Sequence, residues 1–182
     1  MAKTNKIIGK KRVETPMSRM AKVASAVEIF NVQFVAFGAH REIELGSHEI
    51  YVEYAWKTHA SRVSEAKQIS VIVEFTMSAA PKDCVDKKKP IQVKAVLELV
   101  YNCEKVSSFD DRAIKDFGEI NGVYNAWPYW REFVQNTVVR MGLPPLIVPT
   151  FRVLQPKTSK KMSRPARKRV STVRKKTGSK VS

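Results

Sequence analysis

Three histidines and two cysteines are the side chains of this sequence best suited to metal, nucleophilic or acid–base chemistry, and their spacing assembles none of it. His40, His48 and His59 are scattered over what read as early strands, with no cysteine at ligand spacing, so each is assigned a structural or surface role. Cys84 and Cys103 are too few and too isolated for a disulfide framework or a Cys-x-x-Cys site, and they read as free thiols in a reducing compartment. A glycine-rich phosphate loop is missing. Gly38, Gly46, Gly118 and Gly122 read instead as punctuation between elements. Serines and carboxylates are present, but nothing in their spacing puts a nucleophile beside its base. The expectation is a protein with no catalytic residues, no metal and no cofactor, which leaves binding as its chemistry.

Charge sets what can be bound. The formal net charge is +16, yet it is carried by the ends. Residues 1–12 hold Lys3, Lys6, Lys10, Lys11 and Arg12 with no acid, and residues 157–182 hold eleven Lys/Arg with no acid. The body, 13–156, therefore carries all 17 acids against 17 Lys/Arg and behaves as a neutral globule. At 182 residues and 43% hydrophobic, the chain suits one domain with appendages: a basic arm over 1–12, a folded domain over 13–156 and a disordered basic tail over 157–182. The tail mixes Lys, Arg, Ser, Thr and Pro with almost no large apolar side chain, so it cannot offset the entropy of folding. Neither a signal-peptide core near the N-terminus nor an apolar run of the roughly 20 residues a membrane helix needs is found. A cytoplasmic protein without integral membrane association is expected.

Periodicity supplies the elements that would position a binding surface. Residues 15–26 suit a short helix, with Thr15 as cap, Pro16 in its first turn, and Met17, Met20, Ala21 and Ala24 at three- and four-residue spacing. From Glu28 the period becomes two: Phe30, Val32, Phe34 and Ala36 on one face against Asn31 and Gln33, with Gly38 expected to bend or end that strand. A second strand alternates Ile50, Val52, Tyr54 and Trp56 with Tyr51, Glu53, Ala55 and Lys57. Ile69, Val71, Val73, Phe75 and Met77 mark the third, and Ile91, Val93, Ala95, Leu97, Leu99 and Tyr101 the fourth, so the last two form a long antiparallel hairpin. A sheet apolar on one side must be covered. The cover follows in sequence: a short helix capped by Ser107 or Ser108 with Ala113, Ile114 and Phe117 inward, then a stronger one opening with Pro128 in its first turn and closed by Gly142 and Pro144-Pro145. The fold class is α+β, a four-stranded antiparallel sheet followed by two helices packed on one side.

The segment 125–149 carries a resemblance. It contains an aromatic-Pro-Tyr-x-Arg-Glu opening in Trp127, Pro128, Tyr129, Arg131 and Glu132, and an Arg-x-Gly-x-Pro-x-Leu close in Arg140, Gly142, Pro144 and Leu146. These motifs resemble those around the long helix of SecB and SecB-like protein-export chaperones, and the preceding strands have the order and lengths of that fold, so the resemblance covers most of 27–154. It implies a SecB-like sheet-and-helix domain assembled as a homo-oligomer, a dimer or tetramer. It further implies an ATP-independent holdase that binds unfolded client polypeptides along apolar surface grooves, with a translocase or a toxin–antitoxin pair as further partner. The physics agrees, because alternate side chains of an extended client buried in apolar pockets give affinity without sequence specificity.

Client-binding candidates lie at the helix opening and in the proline-rich segment after it: Trp127, Tyr129, Leu143, Leu146, Ile147 and Val148. For each, burial in the core is the competing assignment. Trp130, Phe133, Val134 and Val138 are assigned to sheet packing or a subunit interface, and Arg131 with Glu132 to an orienting ion pair or, preferably, a solvated surface pair. The chain departs from the family at its end. SecB of Gram-negative bacteria closes in an acidic tail that helps engage the motor SecA, whereas here Arg164, Arg167, Lys168, Arg169, Arg174, Lys175 and Lys176 make the end basic, which puts delivery to SecA in doubt. Such a tail suits nonspecific binding of nucleic acid or another anionic partner, and a nucleic-acid-associated protein built on an oligomeric SecB-like scaffold is the alternative function.

Overall fold

A computed structural model of the chain describes residues 14–43, 49–82 and 89–153. Helix α1 (Pro16–Ala24) begins as expected: Thr15 is its cap, with the side chain accepting from the Ser18 N–H at 3.2 Å, and Pro16 stands in the first turn. Strands β1 (Glu28–Arg41), β2 (Ile50–Val63), β3 (Gln68–Pro81) and β4 (Ile91–Asn102) follow. All pairings are antiparallel in the order β1-β4-β3-β2, a Greek-key arrangement that leaves β1 and β2 as the two edges. The expected hairpin is present, from Gln68↔Asn102 to Ala79↔Ile91. Its inner face, Ile69 to Ala79 on β3 and Ile91 to Tyr101 on β4, is the buried core.

On β1 the expected alternation fails. Its register against β4 shifts between Ile29 and Asn31 and again between Phe34 and Ala36. Each shift inserts one unpaired residue, Phe30 and then Val35, so the set facing the core is Ile29, Val32, Phe34, Phe37 and Ala39, opposite Tyr101, Leu99, Leu97, Ala95 and Val93. Phe30 and Ala36 leave the expected face, and the strand continues through Gly38 to Arg41.

The cover differs from its expected outline. Ser107 and Ser108 lie in a 3₁₀ turn (Val106–Ser108), and the cap of α2 (Asp111–Phe117) is Asp110, whose carboxylate accepts from the Ala113 N–H at 2.7 Å. A π-helical turn (Gly118–Gly122) then joins α2 directly to α3 (Val123–Arg140), which places Pro128 inside α3 and not at its start. The proline removes the N–H that would bond the Tyr124 carbonyl, but Tyr124 and Pro128 are both exposed, so that carbonyl stays on the water side. Gly118 does follow the last residue of α2 and Gly122 precedes the first of α3, but both keep helical backbone, so they do not stop the run. A Cβ at Gly118 would stand 2.6 Å from the Ala60 Cβ, and one at Gly122 would stand 2.6 Å from the Val71 Cγ1; the two glycines let the helical run lie against β2 and β3. Glycine does end α3: Gly142 has φ +71°, its N–H bonds the Val139 carbonyl and the Leu143 N–H bonds the Val138 carbonyl, both at 3.0 Å. Arg41 at the end of β1 fixes this corner, donating from Nη1 to the Met141 carbonyl at 2.7 Å.

Candidate functional site

Helix α3 lies over the inner face of the sheet, and the aromatic residues at helical spacing on it meet those on β2, β3 and β1 in one continuous series. Phe75 stacks on Trp130, centroids 5.2 Å apart with planes 8° from parallel. Toward β2, Trp127 meets Phe75 and Trp56 edge-on, each at 5.8 Å, and Phe151 closes on Trp56 at 5.7 Å. Toward β1, Phe133 lies 6.2 Å from Trp130, 5.3 Å from Phe34 and 5.5 Å from Phe37. The series is buried in the middle and open at both sheet edges, where Trp56 is 43% and Phe37 69% exposed. Edge-on and offset pairs suit the ring quadrupoles, so the rings favour one another beyond the area they bury.

Beside the first half of α3 lies a groove of about 460 Å³, walled by Ile29 from β1, Tyr124, Trp127, Tyr129 and Arg131 from α3, and Phe151 from the segment after it. The segment is pinned to the helix: the Trp127 Nε1–H donates to the Pro149 carbonyl at 2.8 Å, and Val148 is fully buried. Asn125 is fixed by donating from Nδ2 to the Tyr101 hydroxyl at 3.1 Å. Burial pushes the Tyr101 phenol up to about 12, with the Asn125 hydrogen bond pulling weakly the other way; burial also raises Tyr54. Arg131 is the one charged side chain among these groove walls. Its Nε is buried and has no hydrogen-bond partner among the described residues, and no ion pair joins it to Glu132, which is exposed.

The six client-binding candidates fall into three environments. Trp127 and Val148 are buried, Leu143 and Leu146 are half-buried, and Tyr129 and Ile147 stand in solvent, 44% and 82% exposed. Trp127 and Tyr129 share the groove; Leu143, Leu146, Ile147 and Val148 belong to the segment leading back to it. Trp130, Val134 and Val138 pack into the core beneath α3, with Phe133 against its edge. Ile29, Tyr124, Arg131 and Phe151 are groove residues that the sequence does not single out; Tyr124 and Arg131 stand near the aromatic helix opening, whereas Ile29 and Phe151 carry no sequence signal. Arg164, Arg167, Lys168, Arg169, Arg174, Lys175 and Lys176 lie outside the described residues, as do the basic arm, His48, Gly46 and Cys84.

Two other hollows lie on the sheet. A hollow of about 630 Å³ on the outer face of the sheet is lined by Glu53, Lys89, Gln92 and Lys94 among others, and Lys89 pairs with Glu53 at 2.5 Å. Another of about 490 Å³ lies along β1 beside Phe37 and His40. Cys103 is a free, buried thiol. Among the described residues no group of three or more His, Cys, Asp or Glu is placed to hold a metal ion, and no helix is long and apolar enough to cross a membrane.

No protein-family model matches the sequence, and no curated protein matches it. Among solved structures the chain is similar to a SecB-like chaperone of Mycobacterium tuberculosis, solved in complex with a ChAD peptide from the HigA1 antitoxin, with a TM-score of 0.63 at 13% identity over 75% of this chain and 98% of that one. A protein of unknown function from Streptococcus agalactiae aligns over 68% of this chain and 96% of that one, with a TM-score of 0.34 at 10% identity. The first likeness establishes a SecB-like fold.

Proposed function

We propose that this chain is an ATP-independent chaperone, a holdase that keeps polypeptides unfolded by burying their apolar side chains along the α3 groove and the edges of its sheet. The observation that carries this reading is the large apolar surface left in water beside the aromatic layer: Tyr124 and Tyr129 along the groove, Ile147 after α3, and Ile29, Phe30, Val35 and Phe37 along β1. Exposed apolar surface of this extent marks a place where something covers it. Each large side chain of a client that becomes well buried contributes roughly 1.5–3 kcal/mol, so a few subsites suffice for useful affinity without sequence specificity. The unpaired edge of β1, with Phe30 at 65% exposure, suits a second copy of the chain, which makes the protein a homo-oligomer, dimer or tetramer, with the α3 groove left for clients.

The reading places the protein in the cytoplasm, serving either export or the protection of an antitoxin; the antitoxin peptide held by the structurally similar mycobacterial chaperone supports the second setting. The eleven Lys/Arg of 157–182 favour a second, electrostatic contact with nucleic acid or another anionic partner. The test is aggregation of a chemically unfolded client on dilution, followed by light scattering without nucleotide. The full chain suppresses it at near-stoichiometric amounts, and deletion of 157–182 leaves the suppression intact while removing salt-sensitive binding of nucleic acid. No suppression by the folded full chain refutes the holdase reading; loss of every activity with the tail makes nucleic-acid association the function.

A further inference from the structure

We infer that the α3 groove contains an anion subsite, formed by Arg131, that accepts an acidic side chain of the bound client; this rests on the holdase reading and names the class of segment it selects. Arg131 stands one helical turn after Trp127, so both lie on one stripe of α3 and wall the same groove. The surroundings are largely apolar or aromatic, Ile29, Tyr124, Trp127 and Phe151, with Asn125 and Thr150 as the uncharged polar members of the lining. Within them the guanidinium Nε–H is buried and unpaired among the described residues. Three other arginines of the domain have acceptors: Arg19 is paired with Asp116, Arg62 with Asp111, and Arg41 donates to the Ile43 and Met141 carbonyls. A buried guanidinium donor without an acceptor is costly, and a carboxylate is the acceptor that matches its planar fork. A groove with apolar walls and one unmatched cation is complementary to an extended segment in which an acidic residue lies among apolar ones.

The basic segments 1–12 and 157–182 contain no Asp or Glu side chain that could serve as the acceptor. An unfolded client presents many internal Asp and Glu side chains and only one terminal carboxylate, so the internal side chain is the occupant.

The test uses the full-length protein and fluorescein-labelled extended peptides of Leu, Phe, Ser and Gly. One has a single central Glu and an amidated end, one has Gln in its place, and one is the Gln peptide with a free terminal carboxylate. Anisotropy titrations are run in about 0.5 M salt, where the Debye length is only a few ångströms and attraction to the basic ends is screened. The Glu peptide binds about tenfold tighter than both Gln peptides, a ratio worth about 1.4 kcal/mol. In Arg131→Met that preference disappears while the Gln peptide still binds, and Arg131→Lys restores part of it. Equal binding of the three peptides to the wild-type protein overturns the anion subsite and leaves the holdase reading standing. Tightest binding by the free-carboxylate peptide overturns the choice of an internal side chain. A change in oligomer mass on Arg131→Met, seen by sedimentation, assigns the missing acceptor to a second copy and overturns it as well. Binding of no peptide at all removes the holdase reading together with the subsite.

Discussion

Replacing Gly118 by alanine tests whether the helical run that carries the groove lies against the sheet as closely as described. The new Cβ would stand 2.6 Å from the Ala60 Cβ, whereas apolar carbons rest about 3.5–4.0 Å apart, so helix and strand must separate by about 1 Å or distort. Overpacking of this kind costs about 1–3 kcal/mol, and the better helix propensity of alanine returns about 1 kcal/mol, so Gly118→Ala alone lowers stability by about 0–2 kcal/mol. The informative comparison is with Ala60→Gly, which removes the opposing atom. The next neighbours of the new Cβ are the Val71 Cγ1 at 3.5 Å and the Ala60 Cα at 3.7 Å, both in ordinary contact, so in that background Gly118→Ala stabilises by about 1 kcal/mol. The double-mutant cycle therefore carries a coupling of about 1–3 kcal/mol. Urea unfolding followed by tryptophan fluorescence, at one fixed protein concentration so that assembly contributes equally, reads it. Additive effects, with coupling below about 0.5 kcal/mol, refute the seating of the helix on β2.

Other expectations follow from the same packing. Tyr101 is a buried phenol whose folded-state value is pushed up to about 12 from 10.0. Its contribution is complete below about pH 10 and is lost as the pH rises toward 12, because the unfolded chain releases the proton first. Urea midpoints measured between about pH 9 and pH 11.5 should therefore fall further in the wild type than in Tyr101→Phe; parallel curves contradict the burial. Asp116→Asn removes the carboxylate that Arg19 meets at 2.5 Å in a mostly buried pair, at a cost of about 1–3 kcal/mol, and limited proteolysis should then cut in α1. Because Tyr129 and Ile147 are exposed, Tyr129→Ser with Ile147→Ser should leave the unfolding midpoint within about 0.5 kcal/mol of wild type while weakening client binding about tenfold. Unchanged client affinity removes those two side chains from the site.

The sheet was readable where one face alone is buried. On β3 and β4 every second residue from Ile69 and from Ile91 is apolar because helices cover one side and water the other, and that pattern survives in composition. On β1 the two extra residues, Phe30 and Val35, are a property of pairing with β4, and a run that is apolar at almost every position conceals where the register slips. The cover was misread for a similar reason. Proline in a first turn and glycine at an end are the commonest uses of those residues, whereas Gly118 and Gly122 are small because Ala60 and Val71 press on them from strands some 50 residues earlier. Much the same holds for the site. The spacing of Trp127, Trp130 and Phe133 announces an aromatic helix face, but nothing in the order of residues tells that Trp127 is tied to the Pro149 carbonyl, or that Phe151 and Ile29 return to wall the same groove. That the Arg131 Nε–H has no partner among the described residues is visible only once its surroundings are assembled.

A photoreactive amino acid placed at Tyr129, compared with one at the exposed His59 on the opposite face of the sheet, examines the central claim most directly. Illumination of the full-length protein with a labelled client in its unfolded and folded forms should give crosslinks from position 129 to the unfolded form alone, with little from position 59. Equal labelling from both positions, or none from 129 while the protein remains folded, would contradict a client groove beside α3.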